Sequence, residues 1–401
     1  MAWVSIIRFE SIKRFLISIC ETSFTKLLNG ERKMQLYDTT QIQIVKYLQE
    51  TQQIFTEFLE RDCGGGNCYF VPSLDLGFPH DVIRIAGGFA TGAYFKWSSK
   101  VPIVPIDTCV NDCAVSIFEV DGDILSCFTE DKIQLFKNKI ENSIYKLNFH
   151  RGNHFISVMQ SKKTKKVFLL LHSSANEFKD NYNGLYPVEE NYFWKKTRVY
   201  TSRQRYFRYL LGADAELFWK MSEQLPKFNE IRQEFLASAL VEGAARIINA
   251  NTYHHYFMPD FESVIMGGHV TRAGDKLPLL TGPSENIFML RYDELKDNDY
   301  RIPDSVEFIT PHGLGKYDIN EPKISISMNT KKFSLDGIEY DIRFGESLRA
   351  HPNLKLRPFE AKKVFGYLNK CYKYTIEDEF IQLLSWNKAG IKEWNTNITY
   401  M

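Results

Sequence analysis

The sequence predicts an α+β protein with mixed and antiparallel β-sheets. Segments rich in Val, Ile and Phe occur in blocks, and helical patterns occupy separate stretches between those blocks. This arrangement favours α+β over a doubly wound α/β sheet, in which helices alternate with single strands. No fixed-period repeat and no Pro/Ser-rich linker divides the chain, which indicates one compact unit.

Three stretches have the apolar spacing of helices. Residues 38–59 repeat apolar side chains at helical intervals, and the Gly-rich turn at 63–68 ends this helix. Residues 202–248 form the longest helical stretch, in which Pro226 predicts a break between two helices. A last helix is predicted at residues 358–374.

Strands are predicted where short apolar runs lie between turns. Residues 69–120 indicate several short buried strands, and residues 155–160 and 166–172 are joined by the turn at 161–165. The remaining predicted strands are 263–267, 277–280, 287–291, 323–328 and 333–342.

Composition indicates a globular protein of 401 residues, with 44% hydrophobic and 25% charged residues. These proportions exclude a disordered or collagen-like chain. The formal net charge of +1 gives no global attraction to nucleic acids or membranes, so any such partner must contact a local patch. Seven cysteines in a chain of this length argue against a secreted disulfide scaffold. They predict reduced thiols and a cytoplasmic location.

Residues 1–33 are expected to form a helical extension before a single catalytic domain of residues 34–401. The apolar residues of the extension suit an amphipathic helix that packs on the protein's own core, with a membrane or a partner as the alternative. Charged residues, among them Arg8 and Lys13, exclude a signal-peptide core or a spanning helix. Met34 is an alternative start.

Histidines and cysteines supply the candidate chemistry. His154 enters a predicted strand and His172 ends one, a place from which a side chain can point into a site. A thiolate beside a carboxylate suits half of a mixed metal site whose other half is imidazole. The alternatives are hydrogen-bonded structural histidines and buried apolar cysteines. The segment 105–115 contains both residue types, at Asp107, Cys109, Asp112 and Cys113.

Several motifs, taken in order, resemble those of the RtcB-type RNA ligase family, the GTP- and manganese-dependent tRNA-splicing ligases. Residues 71–77 (VPSLDLG) resemble the family's P-D-x-H-x-G turn, and Cys113-Ala114-Val115 resembles D-x-x-C-G-[VM]. Residues 151–156 (RGNHFI) are similar to G-[GT]-G-N-H-F-[IL], and residues 171–173 (LHS) are similar to L-H-S-G-S-R-G. The resemblance covers about residues 71–318.

Four later segments continue the same order of motifs. His254-His255 resembles the H-H-N loop, and residues 268–274 resemble the R-K-G-A-T loop. Residues 280–284 resemble I-P-G-S-M-G, and residues 312–316 (HGLGK) resemble H-G-A-G-R, whose histidine is the guanylylated nucleophile. Order and spacing together carry the resemblance.

The resemblance implies a role for individual residues. The metal ligands are Cys113, His154, His172 and His255. Either Asp107 or Asp112 supplies the carboxylate, because Val110 occupies the position of the family's aspartate. His312 is the nucleophile that receives GMP, and Asn153 contacts the nucleotide phosphate or the metal. The other implied nucleotide-binding residues are Gly282, Ser284, Gly313, Gly315 and Lys316.

The implied activity joins RNA 2′,3′-cyclic phosphate or 3′-phosphate ends to 5′-hydroxyl ends through a GMP-histidine intermediate. It uses GTP and one or two Mn²⁺ ions, and its partners are broken RNAs such as tRNA halves; no membrane is involved and a monomer is expected. Cysteine and histidine donors alone also suit Zn²⁺, so Mn²⁺ rests on the resemblance.

Lys316 and Ala114 depart from the family's Arg and Gly. These departures motivate two alternatives: an inactive RNA-end-binding homologue, and a metal-dependent phosphate-ester hydrolase that does not use GTP.

Residues 194–209 form the most basic segment of the chain, with six cations, no acid and five aromatic residues. Cations bind phosphates and aromatic rings stack on unpaired bases, so the segment predicts an RNA-binding surface. The alternative is a helix start with a solvated basic face. The candidate RNA contacts are Lys195, Lys196, Arg198, Arg203, Arg205 and Arg208.

Overall fold

The computed structural model describes residues 39–77, 84, 87–149, 154–175, 177, 192–203, 205–281, 285–313, 325–327, 331–335, 338–342, 353–355, 361–387 and 390–394. The expected extension at residues 1–33 lies outside these residues. In the described part of the chain, no helix has both the length and the hydrophobicity needed to cross a membrane.

The described residues form twenty strands and five α-helices. The strands are β1 (Gly66–Gly77), β2 (Thr91–Ser99), β3 (Ile103–Pro105), β4 (Cys113–Gly122), β5 (Phe155–Ser161), β6 (Val167–Ser174), β7 (Arg198–Ser202), β8 (Arg205–Leu211), β9 (Ala245–Phe257), β10 (Ser263–Met266), β11 (His269–Thr271), β12 (Lys276–Leu279), β13 (Ile287–Leu295), β14 (Phe308–Thr310), β15 (Ser325–Ser327), β16 (Lys331–Leu335), β17 (Ile338–Ile342), β18 (Asn353–Lys355), β19 (Tyr372–Asn387) and β20 (Gly390–Glu393). The helices are α1 (Thr39–Asp62), α2 (Glu130–Glu141), α3 (Ala213–Ser222), α4 (Leu225–Val241) and α5 (Ala361–Cys371).

An 11-stranded antiparallel sheet contains most of the long strands. Its order is β1-β2-β10-β9-β4-β6-β5-β19-β13-β12, and β20 pairs with β19. A three-stranded sheet, β3-β8-β7, and the small pairs β11-β14, β15-β18 and β16-β17 complete the strand pairing. Helices accompany antiparallel sheets without alternating with single strands, which confirms the α+β class.

Helix α1 packs on β2 and β8 through its aromatic residues. The ring of Phe55 meets that of Phe95 edge to face, with centroids 5.2 Å apart, and Phe58 meets Phe207 at 5.1 Å. Such pairs contribute about 0.5–1.5 kcal/mol each beyond the area that they bury. The helix ends where Gly65 donates its backbone N–H to the carbonyl of Leu59, as the Gly-rich turn predicted.

The stretch at 202–248 was predicted to be helical throughout, and this prediction is wrong at both ends. Its first residues belong to the β7–β8 hairpin, and its last belong to β9. Strand β8 is largely buried on both faces, so its apolar residues do not alternate with polar ones and the sequence lacks the period of two. Between them lie the two predicted helices, α3 and α4, with Pro226 in the first turn of α4.

The backbone at Gly92 is expected to tolerate no side chain. Gly92 has φ +84°, and a Cβ atom there would lie 2.5 Å from the Cα and N atoms of Leu76. Gly92→Ala should lower the free energy of unfolding by about 1–3 kcal/mol, through left-handed strain and overlap with a strand.

Denaturant unfolding of the variant tests this expectation. The matched control is Gly366→Ala in α5, where no atom of the described residues outside the neighbouring helix backbone lies within 4 Å of the new Cβ. That change should raise stability by about 0.5–1 kcal/mol, since alanine is the better helix former. Equal effects of the two substitutions would contradict the tight approach at Gly92.

Candidate metal centre

Four potential metal ligands lie at the same end of four neighbouring strands. Strands β9, β4, β6 and β5 are consecutive in the large sheet. Cys113 begins β4, His172 and His255 lie near the ends of β6 and β9, and His154 directly precedes β5. Antiparallel pairing sets Phe155 opposite His172, which brings the start of β5 to the end of β6. Residues distant in sequence are therefore neighbours here.

The four side chains form a continuous buried cluster. Sγ of Cys113 lies 3.4 Å from Nε2 of His154 and 3.4 Å from Nε2 of His172. Nε2 of His172 lies 3.2 Å from Nε2 of His255. The donor atoms of Cys113, His172 and His255 all lie within 4.8 Å of one another. None of the four residues is more than 9% exposed.

The contacts of Cys113 with His172 and of His172 with His255 have about the spacing of neighbouring ligands on a tetrahedral ion. With Zn–S bonds of about 2.3 Å and Zn–N bonds of about 2.0–2.1 Å, neighbouring donors are about 3.3–3.6 Å apart. One thiol and several imidazoles in a buried place match the donor preference of Zn²⁺ and of other borderline metal ions. Cys113, His172 and His255 therefore fit a metal ion, and His154 contacts Cys113 from outside this compact group.

Second hydrogen bonds direct the ligand nitrogens towards the cluster. Nδ1 of His154 donates to the carbonyl of Asn148 at 2.9 Å. That bond leaves the lone pair on Nε2, the atom near Cys113. Such bonds fix the tautomer and the ring orientation of metal-binding histidines.

Burial, together with the charges of His312, His172 and His269, holds the pKa of His255 well below its ordinary value. A neutral imidazole is the form that binds metal.

A β-bulge gives the adjacent histidines different surroundings. The pairing of β4 with β9 shifts between Cys113 and Ala114, whose partners are Tyr256 and His254, so that His255 is the extra residue. Bulges re-aim side chains and are frequent beside active sites. The loop that the H-H-N resemblance implies at His254-His255 is wrong, since both residues lie on β9.

His254 belongs to an ion-pair network beside the cluster. Its Nδ1 lies 3.0 Å from Oδ1 of Asp112, and its Nε2 lies 3.4 Å from Oε1 of Glu230. Burial lowers the pKa of His254, but the hydrogen bonds and charges of Asp112 and Glu230 outweigh it and leave the pKa raised. His254 is thus held by acids, whereas His255 faces other imidazoles.

His312 lies against the cluster and is held by a carboxylate. Its ring stacks on that of His255, with centroids 4.2 Å apart and an interplanar angle of 15°. Its Nδ1 donates to Oδ2 of Asp75 at 2.5 Å, and its backbone N–H donates to the same oxygen at 3.2 Å. Ser73 donates to the other oxygen of Asp75. This partner of His312 was not singled out in the sequence, although it lies within the motif-like segment 71–77.

A further histidine was missed by the sequence reasoning. His269 is buried, and its ring centroid lies 5.8 Å from that of His255. Its Nδ1 donates to the carbonyl of His254 at 3.1 Å, and its Nε2 has no hydrogen-bond partner among the described residues. Burial, with the charge of His312, lowers the pKa of His269 to about 3. The position of His269 beside His255 became clear only from the three-dimensional structure of the turn at Gly267-Gly268.

Neither predicted carboxylate is among the three residues whose donor atoms form the compact metal-binding group. Oδ1 of Asp107 accepts from Nε of Arg208 at 2.8 Å and Oδ2 accepts from the backbone N–H of Arg208 at 2.7 Å. Asp112 is bonded to His254. Asp107 therefore belongs to a buried ion pair and not to the predicted metal ligands. Asp112 is hydrogen-bonded to His254, the neighbour of the candidate ligand His255.

The predicted RNA contacts separate into two groups. Lys195, Lys196 and Arg198 are exposed. The side chain of Arg203 is 55% exposed and pairs with Glu57. Two remaining predictions are wrong because the guanidinium groups are buried and paired: Arg205 with Glu50 at 3.3 Å, and Arg208 with Asp107 at 2.5 Å.

Several implied nucleotide-binding residues lie outside the described residues, namely Asn153, Gly282, Ser284, Gly315 and Lys316. Gly313 is described, and it forms an isolated parallel bridge with Leu280. A Cβ atom at Gly313 would lie 3.1 Å from the carbonyl oxygen of Leu280, so that a larger residue would disturb the backbone next to His312.

No protein-family model matches the chain, and no curated protein sequence matches it significantly.

Proposed function

We propose that the chain is a metal-dependent nucleotidyl-transfer enzyme that joins RNA ends, with His312 as its nucleophile. The observation that carries this proposal is the position of His312, which is bonded to Asp75 and stacked on a residue of a Cys/His metal-binding cluster. A histidine held by a carboxylate is the usual arrangement of an activated imidazole. The resemblance to RtcB-type ligases supplies the reaction.

The Asp75–His312 pair suits nucleophilic attack by Nε2. With its proton donated to Asp75, Nδ1 fixes the tautomer that carries the lone pair on Nε2. In the proposed step, Nε2 bonds to the α-phosphorus of GTP while the bond from that phosphorus to the pyrophosphate oxygen breaks, and pyrophosphate leaves. The Asp75 carboxylate stabilises the positive charge that forms on the ring.

Cys113, His154, His172 and His255 are the residues proposed to hold the metal. A divalent ion in this place supplies neutralisation and in-line orientation of the phosphate groups. The donor set suits Zn²⁺, and Mn²⁺ comes from the resemblance. We propose one or two bound ions. The thiolate of Cys113 lies 3.4 Å from the imidazoles of both His154 and His172, so the sulfur is placed to share an ion with either histidine.

The proposed substrates are an RNA with a 2′,3′-cyclic phosphate or a 3′-phosphate end and an RNA with a 5′-hydroxyl end. A 2′,3′-cyclic phosphate is first opened by water to a 3′-phosphate. An oxygen of the 3′-phosphate then bonds to the phosphorus of GMP while the N–P bond to His312 breaks. Finally the 5′-hydroxyl oxygen bonds to the 3′-phosphorus and GMP leaves, which seals the strand. Lys195, Lys196 and Arg198 are exposed cations that remain available for the phosphate backbone. A cytoplasmic monomer stays the expectation for the protein.

Labelled GTP tests the proposed function. Incubation of the protein with α-³²P-labelled GTP and Mn²⁺ should give an acid-labile protein–GMP adduct, and His312→Ala should abolish it. Asp75→Asn should slow adduct formation by up to about 10⁴-fold, because the amide would favour the tautomer that carries its proton on Nε2. Asp121→Asn is the control, because Asp121 forms an exposed ion pair with Arg246.

Three outcomes separate the candidate functions. An adduct that depends on His312 supports the ligase. Opening of an RNA cyclic phosphate without an adduct would replace the ligase with a metal-dependent hydrolase. Salt-sensitive binding of RNA ends without either reaction would leave an inactive binding protein.

A further inference from the structure

Helix α4 buries an unusual set of polar side chains. Asn229, Arg232 and Gln233 are all fully buried, and their spacing of three and four residues sets them on one face of the helix. Burial of polar and charged groups is unfavourable unless they are hydrogen-bonded. A core-facing helix would normally carry apolar residues at such positions, so their partners indicate what this face does.

Two of these side chains bind the backbone on both sides of Cys113. Nδ2 of Asn229 donates to the carbonyl of Asp112 at 2.7 Å, and Nε2 of Gln233 donates to the carbonyl of Ala114 at 3.2 Å. Asp112 has a positive φ of 47°, so the chain turns sharply where it enters β4. The amide groups of α4 thereby fix the direction of the segment that carries the Cys113 thiol.

The same face binds the residue that follows His172. The carbonyl of Ser173 accepts from Asn229 at 3.4 Å and from Gln233 at 3.3 Å. The hydroxyl of Ser173 accepts from Nη1 of Arg232 at 2.8 Å. Cys113 and His172 therefore lie on two strands whose ends both bind Asn229 and Gln233, and Arg232 binds the second strand as well.

Arg232 extends the network to the segment before His154. Its Nε donates to Glu177 at 2.7 Å, and its Nη2 donates to the carbonyl of Lys146. The backbone N–H of Lys146 also donates to Glu177, at 2.6 Å. Two residues further, the carbonyl of Asn148 accepts from Nδ1 of His154.

Helix α4 reaches the fourth donor, His255, through the preceding residue, His254. Glu230, on the same helix, lies 3.4 Å from Nε2 of His254, the residue before His255. One helix thus contacts a residue adjacent to Cys113, His172 and His255, and it fixes the segment that orients His154.

We propose that Asn229, Arg232 and Gln233 are positioning residues that hold Cys113, His172 and the segment of His154 in metal-binding geometry before an ion enters. This inference rests on the proposed metal centre and adds the element that sets its affinity. Groups outside the ligand shell orient the ligands of metal sites, and their loss weakens metal binding about 10- to 100-fold. Here the positioning acts mainly through the strand backbone, at the carbonyls of Asp112, Ala114 and Ser173, which adjoin Cys113 and His172.

Metal affinity of the full-length protein tests the proposal. Asn229→Leu and Gln233→Met keep the side-chain volume but remove the N–H donors. Each should weaken Zn²⁺ binding about 10- to 100-fold, measured by competition with a chromophoric chelator and by the thiolate-to-Co²⁺ absorption of the Co²⁺-loaded protein. The matched control is Leu240→Ala, on the same helix but in the apolar core away from the cluster. It should lower stability and leave affinity unchanged.

The outcomes distinguish this inference from the metal centre itself. No binding of Zn²⁺, Co²⁺ or Mn²⁺ by the wild-type protein would remove the metal centre. Wild-type binding with unchanged affinity in folded Asn229→Leu and Gln233→Met would overturn the positioning role alone. Should those variants not fold, Asn229→Ser and Gln233→Asn keep a shorter polar side chain that withdraws the donor. Unchanged affinity in them would overturn the proposal equally.

Discussion

Cys113→Ser should reduce the affinity of the protein for Zn²⁺ or Mn²⁺ by more than about a hundred-fold, beyond the effect of residues outside the ligand shell. The sulfur of Cys113 is the central donor, since it lies 3.4 Å from two different imidazole nitrogens. Serine has nearly the same shape, but its hydroxyl stays protonated at neutral pH, and it replaces a soft donor with a hard one. Isothermal titration of the metal-free variant measures the change.

Cys127→Ser provides the matched control. Cys127 is also a buried free thiol, but it belongs to an apolar cluster around Phe118 and Phe128. Its substitution should leave metal affinity as in the wild type. If Cys113→Ser bound metal as tightly as the wild-type protein, Cys113 would be a buried apolar residue and not a ligand of the bound ion.

Arg208→Met should lower the free energy of unfolding by about 3–5 kcal/mol, the usual effect of removing one partner of a buried ion pair. Asp107 is fully buried, and its Oδ1 accepts from Nε of Arg208 at 2.8 Å and from Nη2 at 2.5 Å. Without the guanidinium group, Asp107 would remain as an uncompensated charge inside the protein. Urea unfolding followed by circular dichroism measures the difference.

Two comparisons make this result specific. Arg203→Gln should change stability by no more than about 1 kcal/mol, because the Arg203–Glu57 pair is exposed to solvent. Asp107→Leu combined with Arg208→Met should recover much of the lost stability, since a matched apolar pair removes both buried charges. An Arg208→Met variant that keeps its stability but loses RNA affinity would restore Arg208 as an RNA contact.

The donors of the cluster were predictable from the sequence, but their geometry was not. Cys113, His154, His172 and His255 were each named from local motifs, and the structure brings all four together. Their proximity depends on strand order and register, which no local pattern specifies. The bulge that makes His255 the extra residue of β9 is likewise a property of the pair β4–β9 and not of either segment alone.

Errors arose where the environment of a charge decides its role. Arg205 and Arg208 lie in a segment without acidic residues, so the sequence indicated a free basic surface. Their carboxylate partners, Glu50 and Asp107, lie 155 and 101 residues away along the chain. Local composition reports the sign of a charge but neither its burial nor its partner. The same limit hid the pairing of Asp75 with His312, 237 residues apart.

X-ray absorption spectroscopy of the metal-loaded protein tests the central claim most directly. For Zn²⁺ we expect one sulfur at about 2.3 Å and imidazole nitrogens at about 2.0–2.1 Å, with the sulfur contribution lost in Cys113→Ser. A metal-loaded protein whose spectrum contains only oxygen donors, or a sulfur contribution that persists in Cys113→Ser, would contradict a metal centre built from Cys113 and the histidines of β5, β6 and β9.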